Sequence, residues 1–340
     1  MPNRVAIASA TAVIVASVAV LRWPGDDLAP MTPPPGGASA QPEARQLDSR
    51  AIVPIPLPPA ELDARTVALG RRLFHEERLS ADGTISCASC HALDEAGADG
   101  RRASVGVGGA VGDRNAPTVL NSALNFTQFW DGRARTLEEQ VGGPLTHPSE
   151  MGSSWNEILA FLNDDGSYAE EFHALWSGGV TEKNVRHAIA TFERTLLTPD
   201  SPFDHFLIGH VDAITQEARE GYQLFLDVGC ISCHQGVNVG GNLFQRFGIA
   251  SNFFEDRGAI KESDLGRYNL TQRDQDAFKF RVPSLRNVAR TAPYFHDGSV
   301  PTLAGAVRIM AKYQLGASLD DGEVDKIVAF LETLTGEQQD

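Results

Sequence analysis

Cys87-Ala88-Ser89-Cys90-His91 recurs in the second half of the chain as Cys230-Ile231-Ser232-Cys233-His234. Gly70-Arg71-Arg72-Leu73-Phe74 precedes the first pentad, and Gly221-Tyr222-Gln223-Leu224-Phe225 precedes the second. A GxxLF helix followed by CxxCH, met twice, predicts two copies of one small module. All 4 cysteines lie in the pentads, so none remains for a structural disulfide. Two thiols at this spacing can add across the two vinyl groups of a c-type haem, and the adjoining histidine then becomes the proximal iron ligand. The rivals are a four-cysteine zinc site and a redox dithiol. Both leave the histidine after each pair as a coincidence.

Working outward, residues 1–23 hold a short positive start and an uncharged apolar run from Val5 to Leu21, followed by Arg22, Trp23 and Pro24. This reads as a secretory signal or an N-terminal membrane anchor at the short limit for a span, and either places the rest outside the cytoplasm. The periplasm is the expected location, with a possible membrane tether through residues 5–21. Residues 24–53 are rich in proline and small residues and read as a semi-rigid linker. Two domains are expected after it, 54–205 and 206–340. The chain of 340 residues carries a net charge of −15, with 42% hydrophobic and 21% charged residues. That suits a soluble globular core. Its sign argues against nucleic-acid binding and is compatible with a basic protein partner.

The rest reads as helices joined by Gly- and Pro-rich loops. A helical pattern covers about 60–77, with Leu62, Val67, Leu69, Leu73 and Phe74 on one face. Ser154 with Glu157, and Ser167 with Glu170, have the spacing of capping boxes. Thr181 opens a helix whose apolar face is Val185, Ala188, Ile189 and Phe192. Thr302 opens another, to about Tyr313, and Asp320 or Asp321 opens the last. Strand patterns are scarce, so the predicted fold is all-α: two cytochrome c-like domains, each carrying one covalently bound haem, with long loops.

A haem's sixth ligand decides between electron transfer and chemistry. Beyond the linker the methionines are Met151 and Met310. Met310 stands late in the second half, where a small cytochrome places its ligand, and is expected to close the Cys230/Cys233 haem. Met151 reads as packing. No comparable methionine serves the first haem. His75, His147, His173, His187, His205 and His210 are its histidine candidates, each also readable as a surface or core side chain.

Further landmarks are Arg114–Thr118, Gln128-Phe129-Trp130-Asp131-Gly132-Arg133, Leu137–Gln140, Pro148–Met151, Pro283–Asn287 and Thr291–Gly298. With the two pentads, they make residues 60–336 resemble the bacterial dihaem cytochrome c peroxidases and their MauG-like relatives. The resemblance implies a peroxidatic first haem with His91 proximal, and an electron-transfer haem at His234 and Met310. It implies that Gln140 and Glu150 are a distal pair, Glu150 moving protons during O–O cleavage, and that Trp130 lies between the haems. It implies a calcium site from Asn115 and the backbone carbonyls of Thr291 and Pro293, whose hard oxygens suit that ion. The plainer alternatives are a loop hydrogen bond for Asn115, a buried aromatic for Trp130 and solvated polar groups for Gln140 and Glu150.

Two departures matter. The peroxidases commonly carry a displaceable histidine in the Gly-rich loop, where this chain has Val107. Valine cannot ligate iron, which is the MauG-like pattern. MauG itself uses tyrosine at the position of Met310, where this chain keeps the peroxidases' methionine. The expected function is a dihaem oxidoreductase using hydrogen peroxide at an open haem, with a small cytochrome c or copper protein as electron donor. One alternative is long-range oxidation of a side chain, such as tryptophan, on a specific protein substrate. Another, of a different class, is a non-catalytic electron-transfer cytochrome.

Overall fold

The structure, a computed structural model, describes residues 51–338. The expected signal or anchor and most of the linker lie outside the described residues. The first half contributes α1 (Ala64–Phe74), α2 (Cys87–Cys90), α3 (Leu137–Thr146), α4 (Trp155–Asp164), α5 (Gly166–Leu175) and α6 (Glu182–Glu193). The second contributes α7 (Pro202–Leu207), α8 (Gln216–Asp227), β1 (Phe244–Arg246), α9 (Phe253–Arg257), α10 (Tyr268–Thr271), β2 (Lys279–Arg281), α11 (Leu303–Ile309) and α12 (Asp321–Glu332). β1 and β2 pair antiparallel with Gln245 opposite Phe280. Among the described residues this short ribbon is the one sheet, so the helical reading holds.

The GxxLF repeat marks the centre of each half. A side chain on Gly70 would stand 2.0 Å from the Ala188 carbonyl oxygen of α6, and one on Gly221 would stand 1.8 Å from the Lys326 carbonyl oxygen of α12. α1 thus crosses α6, and α8 crosses α12, at a backbone-to-backbone approach that only glycine permits. The Leu and Phe that follow turn toward the cores these crossings create. Leu73 and Phe74 join Val185, Ala188, Ile189 and Phe192 in the first. Phe225 joins Tyr222, Ile327, Phe330 and Leu331 in the second.

Several boundaries differ from the sequence reading for local reasons. α1 begins at Ala64, because the Asp63 carboxylate accepts from the Thr66 N–H at 2.8 Å. α5 is capped by Asp165, which accepts from Ser167 N and Tyr168 N, so Ser167 lies inside the helix and heads no capping box. The Ser154–Glu157 box and the Thr181 and Asp320 caps are present. The helix opened by Thr302 changes to a wider π-turn over Met310–Leu315. Ile52, within the expected linker, is fully buried in the second core. The Ile55 N–H reaches the Asp204 carboxylate at 3.3 Å. The expected division at 205/206 falls inside α7, whose Phe203 also belongs to the second core.

A second repeat, longer than the first, emerges from the backbone. Ala116–Ala123 runs parallel in sequence to Val282–Ala289 at a constant offset. Asn121 and Asn287 both take left-handed φ, 59° and 60°, and both amides donate to Thr198 Oγ1, at 2.8 and 2.9 Å. Further on, Phe129 and Phe295 are again left-handed, inside hairpins closed by the bridges Gln128–Ala134 and Tyr294–Val300. The same offset pairs Thr136, the cap of α3, with Thr302, the cap of α11.

Candidate haem sites

In each pentad the histidine ring is fixed by one nitrogen. His91 Nδ1 lies 3.2 Å from the Gly97 carbonyl, and His234 Nδ1 lies 3.2 Å from the Val239 carbonyl. A carbonyl only accepts, so Nδ1 carries the proton and Nε2 keeps the lone pair that would bind iron. Burial lowers the pKa of both rings, that of His234 to about 4, which keeps them neutral and able to ligate. Burial raises the Cys87 thiol to about 12, helped by the charge of Glu193, and raises Cys230 to about 11. Thiols this hard to ionise are poor nucleophilic or redox groups.

The two pairs stand in separate cores, so a joint zinc site is excluded. Among the described residues one cluster, Asp264, His296 and Asp297, gathers three such ligand groups. It is internally satisfied, because Arg257 ion-pairs with both carboxylates and His296 Nε2 lies 2.8 Å from Asp264.

The second pocket is apolar and is lined by Cys230, Cys233, His234, Phe247, Trp130 and Met310. Met310 reaches it from the first position of the π-turn. Such turns recur at functional positions because they re-aim side chains. Gly240, at φ 134°, leaves room that a Cβ would fill, 2.1 Å from the Pro283 carbonyl oxygen and 3.4 Å from His234 Nδ1. The thiol pair, the imidazole and the thioether on one apolar cavity fit a His/Met c-type haem.

Around the first pentad the chain lays different groups. Val107 N–H donates to the Glu150 carbonyl at 2.9 Å. A side chain on Gly106 would stand 2.3 Å from the Ser149 carbonyl oxygen, so the Gly-rich loop is clamped onto the turn that carries Glu150. The Glu150 side chain is 40% exposed, and its partial burial raises the pKa of the carboxyl against the charges of His147 and Arg133. Its charge reaches the Cys90 thiol, which burial chiefly holds above its usual value. Gln140 lies half-buried on α3, one turn before Gly143 on the same helix face. Gly143 is where Phe129 packs: a Cβ there would be 3.0 Å from the ring. The Arg133 guanidinium covers that ring at 3.4 Å. Of the histidine candidates, His147 meets Glu150, while His75 ends α1, His187 faces Glu138 and His205 pairs with His210. Met151 is buried in the first core.

Trp130 joins the halves. Its Nε1 donates to the Asn115 carbonyl at 2.9 Å, and its own carbonyl accepts from Arg281 N–H at 2.8 Å. Phe129, one residue earlier, packs against Gly143 of α3 while Trp130 lines the second pocket, so two consecutive aromatics serve different surroundings. Asn115, Thr291 and Pro293 line the same cavity edge. Asn115 Nδ2 donates to the Arg101 carbonyl at 2.8 Å, and neither the Thr291 nor the Pro293 carbonyl accepts a hydrogen bond among the described residues. These free oxygens are of the type calcium takes. Sequence reasoning gave no role to Phe129, Arg133 or Glu193, although the first two stand inside a motif it singled out.

Two helix-crossing modules, each presenting CxxCH with Nδ1 tied and Nε2 free, define a dihaem c-type cytochrome. Comparison with known proteins narrows the class. The di-haem cytochrome c peroxidase profile matches residues 64–212, and the cytochrome c profile matches 218–335. The chain is 44% identical to the cytochrome c551 peroxidase of Nitrosomonas europaea over 82% of each protein. It is 53% identical to the Escherichia coli cytochrome c peroxidase Ccp over 81% of this chain, but only 59% of that longer protein. Methylamine utilization protein MauG of Methylorubrum extorquens is 33% identical over 89% of each. A crystal structure of a MauG-like protein associated with microbial copper homeostasis superposes with a TM-score of 0.72 at 33% identity, over 84% of this chain and 94% of that one. The chain belongs to the di-haem cytochrome c peroxidase family.

Proposed function

We propose that this protein reduces hydrogen peroxide at the Cys87–Cys90–His91 site, drawing electrons from a small cytochrome c or copper protein through the Cys230–Cys233–His234 site. The haems, when bound, supply redox-active iron at each pocket. The protein's own residues supply the rest. Glu150 takes a proton from one peroxide oxygen and returns it to the other, the transfer that makes water a leaving group. Gln140 orients the peroxide from α3. Val107 offers no ligating atom, so the pocket needs no prior opening. Met310 closes the second site for electron transfer, and Trp130, hydrogen-bonded to Asn115 and to Arg281 of the second half, is the path between the halves. The net change is two electrons and two protons added to one peroxide to give two waters. The observation that carries this reading is the clamp between Val107 and Glu150, which sets a burial-raised carboxyl beside a loop that cannot ligate iron.

Rapid mixing of the ferric protein with peroxide tests it. Glu150→Gln should slow the reaction by about 100-fold or more, the usual worth of a positioned acid–base group. A resting spectrum that is low-spin for both haems would overturn the open-site assignment. A second reading, favoured by Val107 and by the likeness to a MauG-like protein, is oxidation of a side chain on a partner protein. Mass spectrometry of a co-expressed genomic neighbour, with and without peroxide, separates the two. We further assign calcium to Asn115, Thr291 and Pro293, and the periplasm as the location. No helix among the described residues is long and apolar enough to cross a membrane, so a tether would fall in residues 5–21.

A further inference from the structure

We propose that Arg281 is the anion receptor of the second haem site, its guanidinium holding a propionate carboxylate of the haem beside the segment that carries Trp130. Arg281 ends β2 and is 4% exposed. Its Nε donates to the Phe129 carbonyl at 3.3 Å, while its Nη1 is buried with no hydrogen-bond partner. Burial alone lowers its pKa, to about 10, with no acid acting on it among the described residues, so the group stays charged at neutral pH. A buried charge is ordinarily paired, and one left unpaired is strongly destabilising. Arg286, only 1% exposed and five residues further on, follows that rule. Its Nη1 lies 2.8 Å from the Asp204 carboxylate, and its Nε and Nη2 donate to the Val237 and Val53 carbonyls, each at 3.0 Å. Arg281 carries a charge for which the described chain supplies no partner.

The cavity identifies the partner. Arg281 and Arg246 both line it among mainly apolar side chains, and no aspartate or glutamate does. An apolar cavity with two arginines and no acid suits a flat hydrophobic ligand that bears carboxylates. A c-type haem has that chemistry: its vinyl carbons are taken by the thiols, here Cys230 and Cys233, and its propionates remain as the anionic groups. Guanidinium is the side chain best matched to a buried carboxylate. The rest of Arg281 reaches the first half. Its N–H donates to the Trp130 carbonyl at 2.8 Å, in addition to the bond from Nε to the Phe129 carbonyl. One residue therefore ties the haem edge to the loop on which Trp130 stands. Its charge also favours the reduced haem, because reduction adds an electron to the same low-dielectric surroundings. The inference needs the haem at the second site and no peroxide chemistry, so its failure and that of the peroxidase reading are separable.

The test is a spectroelectrochemical titration of the holoprotein at pH 8, with resonance Raman spectra of the haem propionate bending mode. Arg281→Met removes the charge at similar length. A unit charge within about 10 Å, at the effective dielectric of a protein interior, is worth about a tenfold change in an equilibrium. The ferrous-to-ferric ratio of the second haem at a fixed applied potential should therefore fall about tenfold, and its propionate band should shift. Arg281→Lys restores the charge but not the guanidinium. It should bring the ratio back to within about threefold of the native value while the band stays displaced. A residue that merely braced the Phe129 carbonyl would move neither the band nor, with lysine in its place, the ratio back. Spectra showing two attached haems in each variant establish intact pockets. If Arg281→Met fails to mature, Arg281→Lys alone decides through the band. A native band in either variant, or a shift confined to the first haem's potential, overturns the assignment.

Discussion

Gly221→Ala is predicted to destabilise the second half even though alanine is the better helix former. The added methyl would stand 1.8 Å from the Lys326 carbonyl oxygen, 2.4 Å from its carbon and 3.1 Å from Ile327 N. The shortest ordinary contact is 3.4 Å, so the overlap is about 1.6 Å, against backbone of α12 that has no rotamer to change. Helix propensity alone favours alanine by about 1 kcal/mol. Overpacking against rigid atoms costs about 1–3 kcal/mol or somewhat more. With the upper end appropriate to a backbone clash, the net loss is about 2 kcal/mol, or roughly 5 °C in Tm for a protein of this size. Guanidinium and thermal unfolding of the holoprotein, followed by far-UV circular dichroism, measure it. Gly166→Ala is the control: it opens α5, with no atom within 4 Å of the new methyl, and should be neutral or mildly stabilising. The reasoning is refuted if Gly221→Ala is as stable as the native protein or more so, since propensity would then outweigh the crossing.

Met310→Ala should convert the second haem from low to high spin in the resting spectrum while leaving the first haem's spectrum unchanged. Trp130→Phe removes the hydrogen bond to the Asn115 carbonyl, worth about 1 kcal/mol. It should slow electron transfer between the halves in stopped-flow traces more than it lowers stability. Glu193 is buried, its Oε2 has no hydrogen-bond partner, and burial pushes its pKa up to about 8 from 4.5. The folded state then holds this proton more tightly than the unfolded state, so its contribution is complete below about pH 4.5 and lost as pH rises through 8. Stability should fall between pH 5 and 8 by an amount on the order of a few kcal/mol, and Glu193→Gln should flatten the slope in a pH series of unfolding curves.

The haem modules were legible because their chemistry is written in contiguous residues. The pentad fixes thiol spacing and ligand, and the GxxLF glycines prove to be the helix-crossing points, a role that spacing alone suggested only as a repeat. Capping was legible where one side chain dominated, as at Ser154 and Thr181. It was misread at Ser167 because Asp165 ends α4 and starts α5 at once. The seam was not legible. It depends on left-handed backbone at Phe129 and Phe295, which no propensity assigns to phenylalanine. It also depends on Arg281, which comes from far along the chain to donate to the Phe129 and Trp130 carbonyls. Likewise Ile52 looks like linker until its partners in the second core are known.

The second repeat explains why two similar modules would do different work. At its constant offset, α3 and α11 are copies of one helix, each entered from a threonine cap after an FxDG hairpin. Met310 then corresponds to Pro144, and Trp130 to His296. In the second half the helix loosens into a π-turn at this position and delivers a thioether to the pocket of His234. In the first half the same position is a proline inside α3, which has no ligating atom and lacks even its N–H. The histidine expected in the Gly-rich loop is also missing, since that loop brings Val107. At both of these positions the first half carries a residue that cannot bind iron, while Gln140 and Glu150 stand on the segments that flank Pro144. On the proposed function, the first site would use the Glu150 carboxyl to move a proton, and its copy, where Met310 lines the cavity, would hold an electron.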